Sequence, residues 1–214
     1  MPSPIKVAVV EDHQGIIDGY HMRLTEASGI QLVGVAQNGE ELNDLLEKTR
    51  ELDVLIMDVN VPTSAMDRNP IPILHYVPYI LKNNPQLNIL VISMLEQPAL
   101  VKALAQAGVS GYILKGNGDA IRRLPAILKS VSSGGRYFEG LETDAEGKPV
   151  LTNRQLVVLT FCAAYPDLST EHAAQQLGIA PSTVRNLLSE TYERLGVRTK
   201  AAAISRAKEL GLIP

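Results

Sequence analysis

The chain is poor in thiols: Cys162 is the one cysteine in 214 residues. No disulfide can close within it, and no zinc centre can be built on several thiolates. Long apolar runs are missing too. Val54–Met57 and Ile89–Ser93 are strand-sized, well short of the roughly 18–20 residues of a membrane-crossing helix. The opening MPSPIKVAVVEDHQ has neither a basic start nor a long apolar stretch, so no signal peptide is predicted. A large positive charge is absent as well, and a net −3 argues against a general polyanion binder. Gly116-Asn-Gly118 lacks the strand–GxGxxG–helix context of a nucleotide cradle, and no Walker-type lysine loop occurs. Repeats and low-complexity tracts are not found. These absences predict a soluble protein of the cytoplasm, with no membrane association.

What is present divides into two unlike halves. Apolar residues make up 45% of the chain, enough for a sizeable core. Net charge is −5 over Met1–Leu151 and +2 over Thr152–Pro214. Between them Glu139–Pro149, EGLETDAEGKP, is polar and without period, as a linker is. We therefore expect domains at 1–137 and 151–214, joined by a linker at 138–150.

The first half alternates short apolar runs with helical periods. Ile5–Val10, Leu32–Ala36, Val54–Met57, Ile89–Ser93 and Gly111–Leu114 read as strands. Ile16, Ile17, Tyr20 and Leu24 recur at helical spacing, as do Leu42, Leu45 and Leu46, then Leu100, Val101, Leu104 and Ala105, and last Ile121, Leu124, Ile127, Leu128 and Val131. Near-continuous apolar strands are buried on both faces. The expected fold is α/β, a doubly wound five-stranded parallel sheet. Pro78 and Pro125 weaken the helical readings around them.

The second half has no strand-like run. Thr152-Asn-Arg-Gln155 is a capping box, followed by Leu156, Leu159 and Ala163 as a buried face. Ser169 can cap a second helix to Leu177, Gly178 turns into a third with Pro181 in its first turn, and Thr199 can cap a fourth. This predicts a smaller all-α helix-turn-helix domain.

In a doubly wound sheet ligands bind beyond the carboxyl ends of the strands. Those ends carry Glu11, Asp12, Asp58, Ser93 and Lys115. Three acids that close repel one another unless a cation joins them, and a hard ion such as Mg²⁺ suits oxygen donors. A carboxylate beside Mg²⁺ can attack a phosphoryl group and form an acyl phosphate. A serine hydroxyl and a lysine ammonium can then bind the new phosphate oxygens. Each residue alone has a plainer reading: an acid at a strand end as a helix cap, Lys115 as solvated, Tyr112 as core. His13 has no evident partner and is assigned to the surface.

VVEDH (Val9–His13), MDVNVP (Met57–Pro62), VIS (Val91–Ser93) and GYILK (Gly111–Lys115) resemble the response-regulator receiver domain in five separate positions, in order. The resemblance implies that Asp58 is the phosphoacceptor, charged by a sensor histidine kinase. It also implies that Glu11, Asp12, Asp58 and the main-chain carbonyl of Asn60 hold Mg²⁺, and that Ser93 and Tyr112 are a switch pair. One departure stands out. After Pro62 the chain runs TSAMDRNPIPI, longer than the family's loop and without its glycine.

On the third helix of the second half, Val184, Leu187, Leu188, Thr191 and Leu195 share one face at 100° per residue. Ser182, Arg185, Asn186, Ser189 and Glu193 lie opposite. Arginine can bind guanine bidentately, asparagine can bind adenine, and serine can reach phosphate or base edges. Thr183, Arg194, Arg198 and Lys200 flank them as candidate phosphate contacts, and the charge from Ala180 onward is +3. A solvated face is the plainer reading of such a helix. TVRN and RLGVRTK, within Leu151–Ala203, resemble a LuxR-type helix-turn-helix, and the whole chain resembles a NarL/FixJ-type response regulator. Promoter DNA, a homodimer on paired half-sites, and a dimer or interdomain surface on the helices from Leu100 and Asp119 are implied. Ala180 stands where that family commonly has a capping serine, and Leu187 where a polar side chain is frequent.

Two other readings stay open. One is a receiver that needs no phosphate and serves as a constitutive DNA binder or a docking module. The other is an Mg²⁺-dependent phosphatase. Asn60 replaces the second aspartate that would act as its general acid, so no independent turnover is expected.

Overall fold

The structure, a computed structural model, describes residues 3–49, 51–139 and 151–213. Its first part runs β1 (Ile5–Val10), α1 (Gln14–Thr25), β2 (Ile30–Ala36), α2 (Gly39–Lys48), β3 (Val54–Met57), α3 (Ile73–Asn83), β4 (Asn88–Ser93), α4 (Pro98–Ala107), β5 (Gly111–Leu114), α5 (Gly118–Arg122), α6 (Leu124–Ser132) and β6 (Tyr137–Phe138). The sheet order is β2-β1-β3-β4-β5-β6, and every neighbouring pair is parallel. Alternate residues of the central strands feed opposite cores, as the two-residue period of a strand demands. Val7, Val9 and Ile56 pack with Tyr20 and Leu24 of α1 and with Leu124, Leu128 and Val131 of α6. Ala8, Val10, Leu55 and Met57 pack with Leu42 of α2, Ile73 and Val77 of α3, and Leu104 of α4.

Three details differ from the sequence expectation. The sheet has six strands, not five. Residues 137 and 138 pair with Gly111 and Tyr112, and the Glu139 carboxylate accepts from Leu114 N at 2.8 Å and from the Asn117 side chain at 2.8 Å. Phe138 and Glu139, which fall in the expected linker, are therefore held on the sheet. Residues 140–150 of that linker lie outside the described residues. The last helical stretch is two helices, because Pro125 has no N–H to continue α5 and the chain restarts at Leu124. Pro78 breaks nothing: α3 continues through it, with the proline on the exposed face.

The second part is helical: α7 (Asn153–Ala164), α8 (Thr170–Leu177), α9 (Pro181–Leu195) and α10 (Lys200–Glu209). Thr152 accepts from Gln155 N while Gln155 reaches back to Thr152 N, completing the capping box. Gly178 (φ +66°) ends α8 and turns the chain into α9. Helix α7 is buried almost all round, from Gln155 to Ala164, which marks a helix enclosed on every side. Val158 and Cys162 face Ala174, Val184 and Leu188 of its own domain. Leu156, Leu159 and Ala163 join the apolar cluster on the α3–α4 side of the sheet. That cluster is continuous across the two parts and takes in Ala203, Ala207, Leu212 and Ile213. At its rim the Asn153 amide donates to Gln106 of α4, and the His75 ring of α3 stands edge-on to Phe161 of α7 at 5.5 Å. Helix α4 thus lies at a contact between the two parts; α5 and α6 belong to the opposite core.

Candidate functional site

The strand ends bring Glu11, Asp12, Asp58, Ser93 and Lys115 to one edge of the sheet. The reason is local: parallel strands in register stop together, and a polar residue succeeds each apolar run. Lys115 is the centre of the group. Its Nζ donates to Glu11 Oε2 at 2.6 Å and to Asp58 Oδ2 at 2.8 Å, with side-chain exposures of 9%, 1% and 6% for the three residues. Burial pulls the lysine pKa down, but the hydrogen bonds to Asp58 and Glu11 outweigh it and raise the value. The ammonium therefore stays charged between two carboxylates that would otherwise repel. Asp58 Oδ1 accepts from Val59 N at 2.7 Å.

The third acid is held differently. Asp12 Oδ1 is buried and has no hydrogen-bond partner among the described residues. It lies 2.8 Å from His13 Nδ1, close enough for charge attraction but not aligned for a hydrogen bond. The His13 ring is exposed, as its assignment to the surface requires, but it is not without partners. Its Nδ1 also meets Glu11 Oε1 at 3.0 Å. The hydrogen bond to Glu11 and the charge of Asp12 raise its pKa. Ligand atoms of Glu11, Asp12 and His13 all lie within 4.8 Å of one another. An oxygen-rich donor set with one orphaned buried carboxylate oxygen suits a hard divalent cation.

A cavity of about 480 Å³ opens over this cluster and is lined by Tyr20, Asp58, Asn60, Met94 and Lys115 among others. Asn60 sits exposed at its edge. Periodicity marks Tyr20 only as a helix-face residue, with no hint of this position. It is buried, and burial together with the charges of Glu11 and Asp58 drives its pKa far up, so its hydroxyl stays neutral beside the acids.

Ser93 and Tyr112 are both fully buried. Ser93 Oγ accepts from Leu95 N at 3.2 Å, and the Tyr112 hydroxyl donates to Leu95 O at 2.6 Å. Burial pushes the Tyr112 phenol up to about 12, against the opposing effect of a hydrogen bond with Ser93. The tyrosine is thus already turned inward, tied to the loop that leads into α4.

On α9, Ser182, Arg185, Asn186 and Ser189 are exposed together, while Val184, Leu188, Thr191 and Leu195 are buried. The contact between the two parts leaves this face open. Arg185 donates to Glu171 of α8 at 3.2 Å. Thr183 is half-buried, and Arg194 is exposed but engaged within the protein. Lys200 donates to Pro166 O at 2.6 Å, so its ammonium braces the α7–α8 connection. Ala180 gives α9 no side-chain cap. Among the described residues no helix is long and apolar enough to cross a membrane.

The sequence matches the family model "Response regulator receiver domain" over residues 7–126 and "Bacterial regulatory proteins, luxR family" over 149–207. It is 30% identical to the transcriptional regulatory protein DesR of Bacillus subtilis, over 97% of this chain and 98% of that protein. Identity is 28% with the probable transcriptional regulatory protein NarL of Mycobacterium tuberculosis, over 99% and 97%. Among solved structures, RcsB from Salmonella enterica bound to promoter rprA in the presence of the phosphomimetic BeF3− is similar with a TM-score of 0.69 at 20% identity, over 96% of this chain and 99% of that one. At that identity the likeness speaks for the fold.

Proposed function

The chain belongs to the response regulators that join a receiver to a LuxR-type DNA-binding domain, and from this we propose that Mg²⁺-dependent phosphorylation of Asp58 controls its binding to promoter DNA. The observation that carries the proposal is the Lys115 ammonium bridging Glu11 and Asp58 beneath an open cavity.

A carboxylate oxygen of Asp58 attacks the phosphorus of the donor. The P–N bond of a kinase phosphohistidine breaks, or the P–O bond of acetyl phosphate, and its electron pair leaves on the donor. Asp58 becomes an acyl phosphate. Lys115 supplies the fixed counter-charge for the new phosphoryl oxygens, and Ser93 a hydroxyl. Glu11, Asp12, Asp58 and the main-chain carbonyl of Asn60 would hold Mg²⁺, which when bound offsets charge on the transferring group. The cavity admits the donor. No independent turnover results, because the product remains on the protein.

We assign the receiver to residues 1–137, extended in practice by the β6 pairing, and the DNA-binding domain to 151–214. Arg185, Asn186 and Ser189 would read bases, with Ser182, Thr183 and Arg194 nearby for phosphates. Lys200 joins them only if it shares its bond to Pro166. A cytoplasmic site, a sensor histidine kinase as partner and a homodimer on DNA belong to the same reading. One copy of a domain with so modest a charge binds weakly, and pairing supplies affinity.

A second reading has its own support. Tyr112 is already inward and hydrogen-bonded to Leu95 O, as in a receiver that sits in one state without phosphate. Intact mass after incubation with acetyl phosphate and Mg²⁺ separates the two. A phosphoryl adduct on the native chain, absent without Mg²⁺ and absent in Asp58→Asn, is the expected result. No adduct in a protein that binds DNA would leave the docking reading.

A further inference from the structure

The segment that departs most from the family is the lengthened connection after Pro62, and it is an ordered structure of its own. Pro62 and Pro70 form an isolated antiparallel bridge. Ile71 N donates to Val61 O at 2.9 Å and Thr63 N to Asn69 O at 2.8 Å, closing the loop at its base. At the tip Ser64 Oγ accepts from Asp67 N at 3.0 Å, and Asp67 Oδ1 accepts from Asn69 N at 3.0 Å. The base is seated on α2: Gly39 N donates to Pro62 O at 2.9 Å, and a Cβ on Gly39 would lie 2.8 Å from Thr63 O. A loop so cross-linked moves as a body.

One end of this body is the phosphoacceptor. Asp58 Oδ1 bonds the amide of Val59, so a group added to that carboxylate acts on the first peptide of the segment. The other end is the DNA-binding domain. Tyr165 is the residue that terminates α7; burial raises its phenol pKa, the Thr63 side chain beside it pulls the other way, and the charge of Asp67 adds to the rise. The Tyr165 ring packs on Phe161 at 4.9 Å, and Phe161 on His75 of α3 at 5.5 Å. Met66, Asp67 and Asn69 face Pro166–Leu168 across a shared cavity of about 270 Å³. Thr63 lies five residues after Asp58, so the covalent part of the path toward α7 is short. The Ser93–Tyr112 pair reaches the domain by a separate route, through Leu95 and the start of α4.

We propose that the loop from Val61 to Ile71 is a lever that carries the state of Asp58 to the DNA-binding domain, with the Thr63–Tyr165 contact as its grip on α7. The inference rests on the phosphorylation reading of Asp58. Loading Asp58 shifts the peptide at Val59, tilts the loop on its seat over Gly39, and loosens the end of α7 from α3. The α9 face is already open in this structure, so the lever sets where the DNA-binding domain can go rather than unmasking its reading surface.

The test is hydrogen exchange by mass spectrometry on the full-length chain, with beryllofluoride and Mg²⁺ as phosphoryl mimic and the bound adduct followed by ¹⁹F NMR. In the native chain the adduct should speed exchange of the amides of Thr63, Ile71 and the last turn of α7 by about fivefold or more, the low end of common site-to-site couplings. Tyr165→Phe, which keeps the ring, and Thr63→Val should show that faster exchange before any adduct and little further change after it. An adduct that leaves these amides unchanged overturns the lever and spares the phosphorylation reading. So does an adduct response in both variants equal to that of the native chain. No adduct at all overturns both.

Discussion

Lys115 Nζ and Asp58 Oδ2 lie 2.8 Å apart, and the same ammonium is 2.6 Å from Glu11 Oε2. Removing the lysine leaves two buried carboxylates facing each other. Breaking such a pair from one side costs about 3–5 kcal/mol when fully enclosed; the open cavity above lets water in, which puts Lys115→Met nearer the lower end. The variant should melt well below the native chain in EDTA, and Mg²⁺ should restore part of the loss because a cation again separates the acids. Equal melting temperatures in EDTA would mean the bridge contributes nothing.

His75 gives the contact between the two parts a pH dependence. Its ring packs edge-on to Phe161, and burial lowers its pKa below the ordinary 6.5. For a base the sign is fixed: the docked state prefers neutral imidazole, so docking is complete above 6.5 and weakens as pH falls below it toward the lower docked value. The NMR titration of the His75 ring should show a midpoint below 6.5. The α7 resonances, Phe161 among them, should shift with it. His75→Phe should abolish that shift; its persistence would assign the pH effect to another group.

The strands and the cluster at their ends are legible in the sequence because a parallel strand enclosed on both faces is written as an unbroken apolar run, and the residue after each run is polar by contrast. Glu11, Asp58 and Lys115 therefore stand out from the residue order alone. Other features depend on partners far away in sequence. Phe161 and Val158 of α7 are unremarkable beside the periodic Leu156, Leu159 and Ala163, because the helix uses more than one face: the periodic residues join the cluster shared with the other part of the chain, Val158 packs within its own domain, and Phe161 meets His75. Two residues, Tyr137 and Phe138, are too short a run to announce a strand; the Glu139 bond to Leu114 N is what ties them down. The length of the loop after Pro62 is legible, but its hydrogen-bonded closure and its contact with Tyr165 are not. His13 shows the same limit, since its partners are the acids beside it in turned backbone rather than at helical spacing.

On the exposed face of α9 proposed to read DNA, Arg185 is held by Glu171 at 3.2 Å, with both side chains more than half exposed. A bidentate arginine–guanine contact is worth about 1–3 kcal/mol of discrimination, so Arg185→Ala should weaken binding to a cognate site by about 10- to 100-fold and leave non-specific binding much less changed. An exposed ion pair is worth about 0.2–1 kcal/mol. Glu171→Gln frees the arginine and should tighten DNA binding by less than about fivefold, most visibly at low salt. Gel-shift titrations at two salt concentrations check both. A uniform loss across all sequences in Arg185→Ala would make it a phosphate contact.

Two glycines separate helix-end strain from the contact between the parts. Gly196 (φ +67°) and Gly211 (φ +68°) share the left-handed conformation, so alanine at either costs a similar backbone term, about 1 kcal/mol. Their surroundings differ. A Cβ on Gly196 meets nothing within 4 Å, whereas one on Gly211 would lie 2.7 Å from Gln97 Cδ, at the start of α4. Gln97 Oε1 is buried with no hydrogen-bond partner among the described residues, so pushing this side chain aside loses packing and no bond at that oxygen. Next to Gly211, Leu212 and Ile213 are buried in the apolar cluster shared with α3 and α4, so a displacement here is felt across the contact. Both variants should lose thermal stability, Gly211→Ala somewhat more because the lost packing of Gln97 adds to the shared backbone term. Gly211→Ala alone should move the methyl resonances of Leu156 and Leu159, which face that cluster from α7. Identical methyl spectra in the two variants would show that Gln97 yields without disturbing the contact, and that the C-terminal end of the DNA-binding domain is not part of what holds it to the receiver.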